Sequence, residues 1–97
     1  MHILITYDVE TSSAAGRRRL RKVAKLCTDY GQRVQNSVFE LNIYESDLLR
    51  IKNDLQEIID PDRDNIRIYR LGKNWEHKIE TLGQDHSYNP EKDLLIV

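Results

Sequence analysis

The spacing of apolar residues changes along this chain in an order that few folds can accommodate. From His2 to Val9 ("HILITYDV") apolar side chains fall on both faces of the segment, as in a central strand covered on two sides. From about Ala14 to Tyr30 the spacing turns helical, and Leu20, Val23, Ala24 and Cys27 stand at i, i+3, i+4 and i+7. The segment "RVQNSVFELNIY" returns to a strand period. Asn36-Ser37 forms a tight turn or a bulge there, and Phe39, Leu41 and Ile43 share one face. Leu48, Ile51, Leu55, Ile58 and Ile59 restore the helical stripe. In "DNIRIYRL" Ile66, Ile68 and Arg70 then alternate with Arg67, Tyr69 and Leu71. The punctuation agrees: "TSS" offers N-caps for the first helix, Gly31 a stop, Ser46 a second cap and Asp60-Pro61 a second stop.

Strand, helix, strand, strand, helix, strand is the split βαβ or ferredoxin-like order, an α+β fold. Its first strand is central and both helices cover one face of the sheet. The other face meets solvent, a ligand or another subunit. Apolar strand residues on both faces favour a subunit. Beyond the last strand, "GKNWEHKIETLG" has room for one helical turn, "QDHSYNPEKD" reads as an extended linker, and the chain closes on the apolar "LLIV". The 97 residues fit one domain, with a core over about 1–72 and a C-terminal dimerisation extension over about 73–97. A core this small is thin, and a homodimer would bury more surface.

Net charge is −1, but it is unevenly distributed. Six bases and no acid lie between Arg17 and Lys25, and seven acids against three bases lie between Glu45 and Asp64. Arg18, Arg21, Lys22 and Lys25 repeat the spacing of the apolar face two positions away, about 200° around the helix, so this stripe faces outward. Like charges at i, i+4 cost helix stability, and an unmixed stripe therefore points to a polyanionic partner. The glycine-aromatic signature of RNA-recognition strands is absent, so contact would be to backbone phosphate with little base reading. The lone cysteine, Cys27, sits on the apolar helix face and makes no intrachain disulfide. Neither a secretory leader nor a membrane-length apolar run is present, and the expected location is cytoplasmic, with no membrane. His2, His77 and His86 lack metal-ligand spacing, and neither a Gly-rich phosphate loop nor a Ser/His/Asp arrangement occurs.

The leading candidate for chemistry is Asp8, at the C-terminal end of the first strand. Turn chemistry alone often puts aspartate where a strand gives way to a loop. A carboxylate there can also bind a hard cation, since one or two carboxylates plus waters hold Mg²⁺ while phosphate oxygens complete the shell. One carboxylate is too few for a firm site, and a symmetric dimer would supply a second copy if the two strand ends meet at the axis. Glu10 lies close enough to join. Glu40 is expected to face solvent or pair with an arginine.

"ILITYDV", "GRRRLRKVAKLCTDYGQRVQNSVFEL" and "IIDPDRDNIRIYRLG" together resemble the small CRISPR-associated adaptation protein, the second of the two near-universal CRISPR-associated proteins, long described as an endoribonuclease. The resemblance covers almost the whole chain, is most specific in "GQRVQNSVFE", and in "KIETLG" with its apolar end looks most like type I-C members. It implies a ferredoxin-like homodimer in which the last strand extends the partner's sheet. It implies one Mg²⁺ or Mn²⁺ ion shared between two copies of Asp8, and cleavage of single-stranded RNA or double-stranded DNA. It also implies spacer acquisition, in which the dimer bridges the CRISPR integrase and holds a duplex on its basic surface. By position, Tyr7, Arg17, Arg19, Arg33 and Phe39 match residues tied to activity or nucleic-acid contact, and Ser37 keeps the family pattern.

Two function classes thus remain open: a metal-dependent endonuclease at Asp8, and a non-catalytic scaffold for duplex DNA. In both, Arg17, Arg18, Arg19, Arg21, Lys22, Lys25 and Arg33 form the nucleic-acid surface, with Tyr7, Ser37 and Phe39 in support. A ligand-binding module unrelated to nucleic acid would leave the arginine stripe unexplained.

Overall fold

A computed structural model of the protein describes residues 1–83. Strand β1 (His2–Asp8) leads to helix α1 (Ala14–Tyr30), the hairpin β2 (Gly31–Gln35) and β3 (Val38–Asn42), helix α2 (Glu45–Ile58) and strand β4 (Asn65–Arg70). A 3-10 turn follows at Trp75–Lys78. The expected linker at 84–93 and the apolar end "LLIV" lie outside the described residues.

The four strands form one antiparallel sheet in the order β2-β3-β1-β4, the ferredoxin-like arrangement with β1 in the interior. Alternation along β1 sends Ile3, Ile5 and Tyr7 to the helix side, where they meet Phe39 and Leu41 of β3 and Val23, Cys27, Leu48, Ile51 and Leu55 of the helices. The expected helical stripes are the buried ones. Leu20, Ala24, Ile58 and Ile59 pack half-buried at their margins.

Among the described residues, only one face of β1 is fully covered. Leu4 and Thr6 on the other face are half-buried, and Tyr69 of β4 is 43% exposed. Arg67 and Tyr69 share that open face, while Ile66, Ile68 and Arg70 point to the helix side. Arg70 reaches beyond the core to Glu45 at the start of α2, with Nη1 donating to Oε2 at 2.8 Å.

Asn36 and Ser37 form the two-residue turn of the β2–β3 hairpin. The register also slips between Arg33 and Gln35, so a turn and a bulge are both present. Ser13, the last of "TSS", caps α1 by accepting the Gly16 N–H at 3.0 Å. Two caps differ from expectation. Gly31 ends α1 in extended backbone, not in a left-handed turn, because it opens β2 at once. Helix α2 begins before Ser46: its N-cap is Tyr44, whose N–H donates to the Asp47 carboxylate at 3.3 Å.

Helix α1 approaches the end of β1 closely at Gly16. A Cβ built there would lie 1.8 Å from the Glu10 carbonyl oxygen. Gly16→Ala should gain about 1 kcal/mol of helix propensity. It should lose more, since relieving such an overlap shifts backbone at about 1–3 kcal/mol or beyond. Net destabilisation in urea unfolding is the expected result, and a stabilised variant would show that the approach is not tight.

Candidate nucleic-acid and metal site

Asp8 ends β1, exposed, on the face it shares with Leu4 and Thr6. The strand is held on both sides there. The Tyr7 N–H donates to the Ser37 carbonyl at 3.0 Å, and Asp8 stands opposite Asn65 of β4. Ser37 thus contributes its backbone. Among the described residues Asp8 has no ion pair, and no group of three or more His, Cys, Asp or Glu side chains gathers to hold a metal. Among the described residues, a single chain offers one carboxylate at this point.

Tyr7, Phe39 and Arg33 come together, but beneath the sheet, on the face opposite Asp8. The Tyr7 and Phe39 rings lie 5.6 Å apart, and the Arg33 guanidinium sits 5.3 Å from the Phe39 centroid. The Tyr7 hydroxyl donates to the Asn36 carbonyl at 3.2 Å. Burial pushes the Tyr7 hydroxyl above the usual tyrosine value, against a smaller downward pull from Arg33, so it remains a donor at neutral pH. These side chains fix the hairpin beside β1.

The basic block divides. Arg17, Arg18, Arg21, Lys22 and Lys25 are exposed along α1. Lys25 makes only a loose contact with Asp29, at 3.9 Å between groups 80% and 59% exposed. Helix α1 has no acid in its first turn, so Arg17 and Arg18 sit at the positive end of the helix dipole without local compensation. Arg19 differs. Its Nε donates to Asp64 Oδ2 at 2.7 Å, and its side chain is 17% exposed against 0% for Asp64. Arg19, expected in the nucleic-acid surface, turns inward because a buried carboxylate needs a countercharge.

Sequence reasoning missed Asp64, which reads as one more acid in the acidic run of "DPDRD". Its carboxylate also accepts the Glu10 N–H at 3.0 Å and the Asp60 N–H at 2.9 Å. Burial pushes this carboxyl up, yet Arg19 and the two backbone donors together hold it below the usual aspartate range. Glu10 turns away from Asp8. Ser12 donates to it through its N–H and its hydroxyl, which lowers its pKa, and Arg63 lies 3.8 Å away. Glu40 pairs with His2 at 3.2 Å, where solvent or an arginine was expected, and Trp75 stacks on the His2 ring at 3.7 Å. No spacing in the sequence marks that contact.

The family model described as CRISPR associated protein Cas2 matches residues 1–79. The chain is 52% identical over 95 residues to the CRISPR-associated endonuclease Cas2 of Halalkalibacterium halodurans, covering 98% of this chain and 99% of that protein. Its fold is similar to the crystal structure of Streptococcus pyogenes Cas2 at pH 6.5, with a TM-score of 0.79 and 59% identity over 86% of this chain and 100% of that one. It is also similar, with a TM-score of 0.67 and 30% identity, to a chain of a partial Cas6-RT-Cas1–Cas2 complex, over 84% of this chain and 89% of that one. Among the described residues no helix is long and apolar enough to cross a membrane.

The depressed pKa of Asp64 fixes a pH dependence. A carboxyl whose folded pKa lies below its unfolded value contributes stability above the unfolded pKa and loses it as pH falls through the folded one. Asp64→Ala should therefore cost about 2–3 kcal/mol at pH 7. The gap to the parent should narrow below about pH 4, the unfolded aspartate value. Urea unfolding of both proteins from about pH 7 to about pH 2.5 checks this, across the range where the group titrates. A gap that is constant across the range would contradict it.

Proposed function

Because this chain belongs to the Cas2 family of CRISPR-associated proteins, we propose that it is a homodimeric spacer-acquisition protein with metal-dependent endonuclease activity on RNA or double-stranded DNA. The observation that carries this reading is Asp8: an exposed carboxylate at a strand end anchored on both sides, on the sheet face that the helices leave open. Its oxygens suit Mg²⁺ or Mn²⁺, and with no ion pair among the described residues they are free to coordinate. Asp8 fits as half of a site, and the other half is Asp8 of a second copy packed against the open face. The apolar part of that face, Leu4 and Tyr69, supplies contact area for the second copy. The residues from about 73 onward serve as the dimerisation extension.

The bound ion would supply Lewis-acid stabilisation of phosphoryl charge and a more acidic water. The chain's own residues do the rest. Arg17, Arg18, Arg21, Lys22 and Lys25 hold backbone phosphates along α1, and the positive end of the helix dipole adds to the attraction at Arg17 and Arg18. Arg33 extends the basic surface at the edge of the sheet. Tyr7 and Phe39 hold the hairpin whose Ser37 carbonyl pins β1, and so keep Asp8 in place.

The exposed stripe also favours a second reading. It holds duplex DNA whether or not Asp8 reacts, and the likeness to a chain of a Cas1–Cas2 complex supports a scaffold that bridges the integrase. One pair of variants separates the readings. Asp8→Asn should abolish Mg²⁺- or Mn²⁺-dependent cleavage and leave the fold, the dimer and the salt dependence of duplex binding unchanged. Parent-level cleavage by purified Asp8→Asn would remove the metal role. Arg18→Gln with Arg21→Gln should flatten the log–log salt slope by up to about four units in a dimer, at roughly 0.9 for each phosphate no longer neutralised. In a spacer-acquisition assay with the integrase supplied, failure of the stripe variant alone assigns the scaffold as the biological role. Failure of Asp8→Asn with binding intact assigns the chemistry.

A further inference from the structure

Asp64 immediately precedes Asn65, the residue that stands opposite Asp8 in the sheet. Its Oδ1 accepts the N–H of Glu10, two residues beyond Asp8, at 3.0 Å. One enclosed carboxylate therefore ties the chain leaving Asp8 to the strand that flanks Asp8. The tie depends on charge, because a carboxylate with 0% side-chain exposure needs a partner cation, and that partner is Arg19 at 2.7 Å. Arg19 directs Nε and an Nη to Asp64, and its remaining reach is toward Glu10 at 3.7 Å. Its neighbours Arg18 and Arg21 are exposed and point outward.

We propose that Asp64 and Arg19 are positioning residues for Asp8, and that Arg19 makes no phosphate contact. Arg19 neutralises Asp64, Asp64 holds the Glu10 N–H, and the held turn sets the direction in which the Asp8 carboxylate leaves the sheet. Neutralising Arg19 leaves a buried charge uncompensated and releases the turn. A displacement of order 1 Å at a reacting group costs about 10²-fold in rate. This proposal rests on the reading of Asp8 as the reactive carboxylate.

The test uses Arg19→Gln, Asp64→Asn and Arg18→Gln in the full chain, at a temperature where circular dichroism shows each fully folded. Arg19→Gln and Asp64→Asn should lower kcat about 10- to 100-fold with KM for the nucleic acid unchanged, and the double variant should fall no further than either alone. Arg19→Gln should keep the parent's salt slope, whereas Arg18→Gln flattens it by about 0.9 for each phosphate it ceases to neutralise. Amide exchange at Glu10 should quicken by about tenfold in both clasp variants. A slope flattened by Arg19→Gln as by Arg18→Gln overturns the proposal, as does Glu10 exchange unchanged from the parent. Asp8→Asn, run alongside, separates the two readings. If it cleaves like the parent, the functional reading fails on its own, and slope and amide exchange still decide whether Arg19 serves the clasp or the phosphate surface.

Discussion

A buried carboxylate has to be answered by donors, and at Asp64 the donors come from three separate parts of the chain. Arg19 arrives from α1, the Glu10 N–H from the turn after β1, and the Asp60 N–H from the turn after α2. Each element could pack apolar side chains against the core in several ways, because hydrophobic burial has no direction. Hydrogen bonds to one enclosed anion do have direction. They fix where β1 ends, how the base of α1 sits over that end, and where β4 begins. The close approach of Gly16 to the Glu10 carbonyl belongs to the same corner.

That corner divides the molecule into two working sides. On the helix side, Tyr7, Phe39 and Arg33 brace the hairpin, and the exposed bases of α1 lie along the outside. On the open side, Asp8 has no ion pair among the described residues, and Leu4, Tyr69 and the His2–Glu40 pair under Trp75 are spread across the sheet. The proposed reaction at Asp8 and the proposed grip through α1 would thus draw on different surfaces. This is why charge neutralisation on α1 and at Asp8 can be expected to act independently.

The strands, both helices and their buried stripes were legible because burial on one face leaves a period in the sequence, and the positions of Val23, Cys27, Leu48, Ile51 and Leu55 carry that period directly. The exposed place of Asp8 at the end of β1 was legible because it interrupts an apolar run. Asp64 was not, since a buried acid and a solvated acid look alike within "DPDRD", and only its distant donors distinguish them. The inward turn of Arg19 was not legible for the same reason: periodicity gives the face of a helix, but not which base on its margin turns to answer a buried charge. The Trp75–His2 stack joins residues far apart in the chain with no repeated spacing, so nothing local announced it.

If Asp8 is half of a metal site, then metal binding must count chains in pairs. The stoichiometry of Mn²⁺ binding, read by electron paramagnetic resonance during titration, puts this to the test. One tightly bound ion for every two chains is expected in the parent, and none in Asp8→Asn. One ion per chain, or binding that survives Asp8→Asn undiminished, would contradict a shared site.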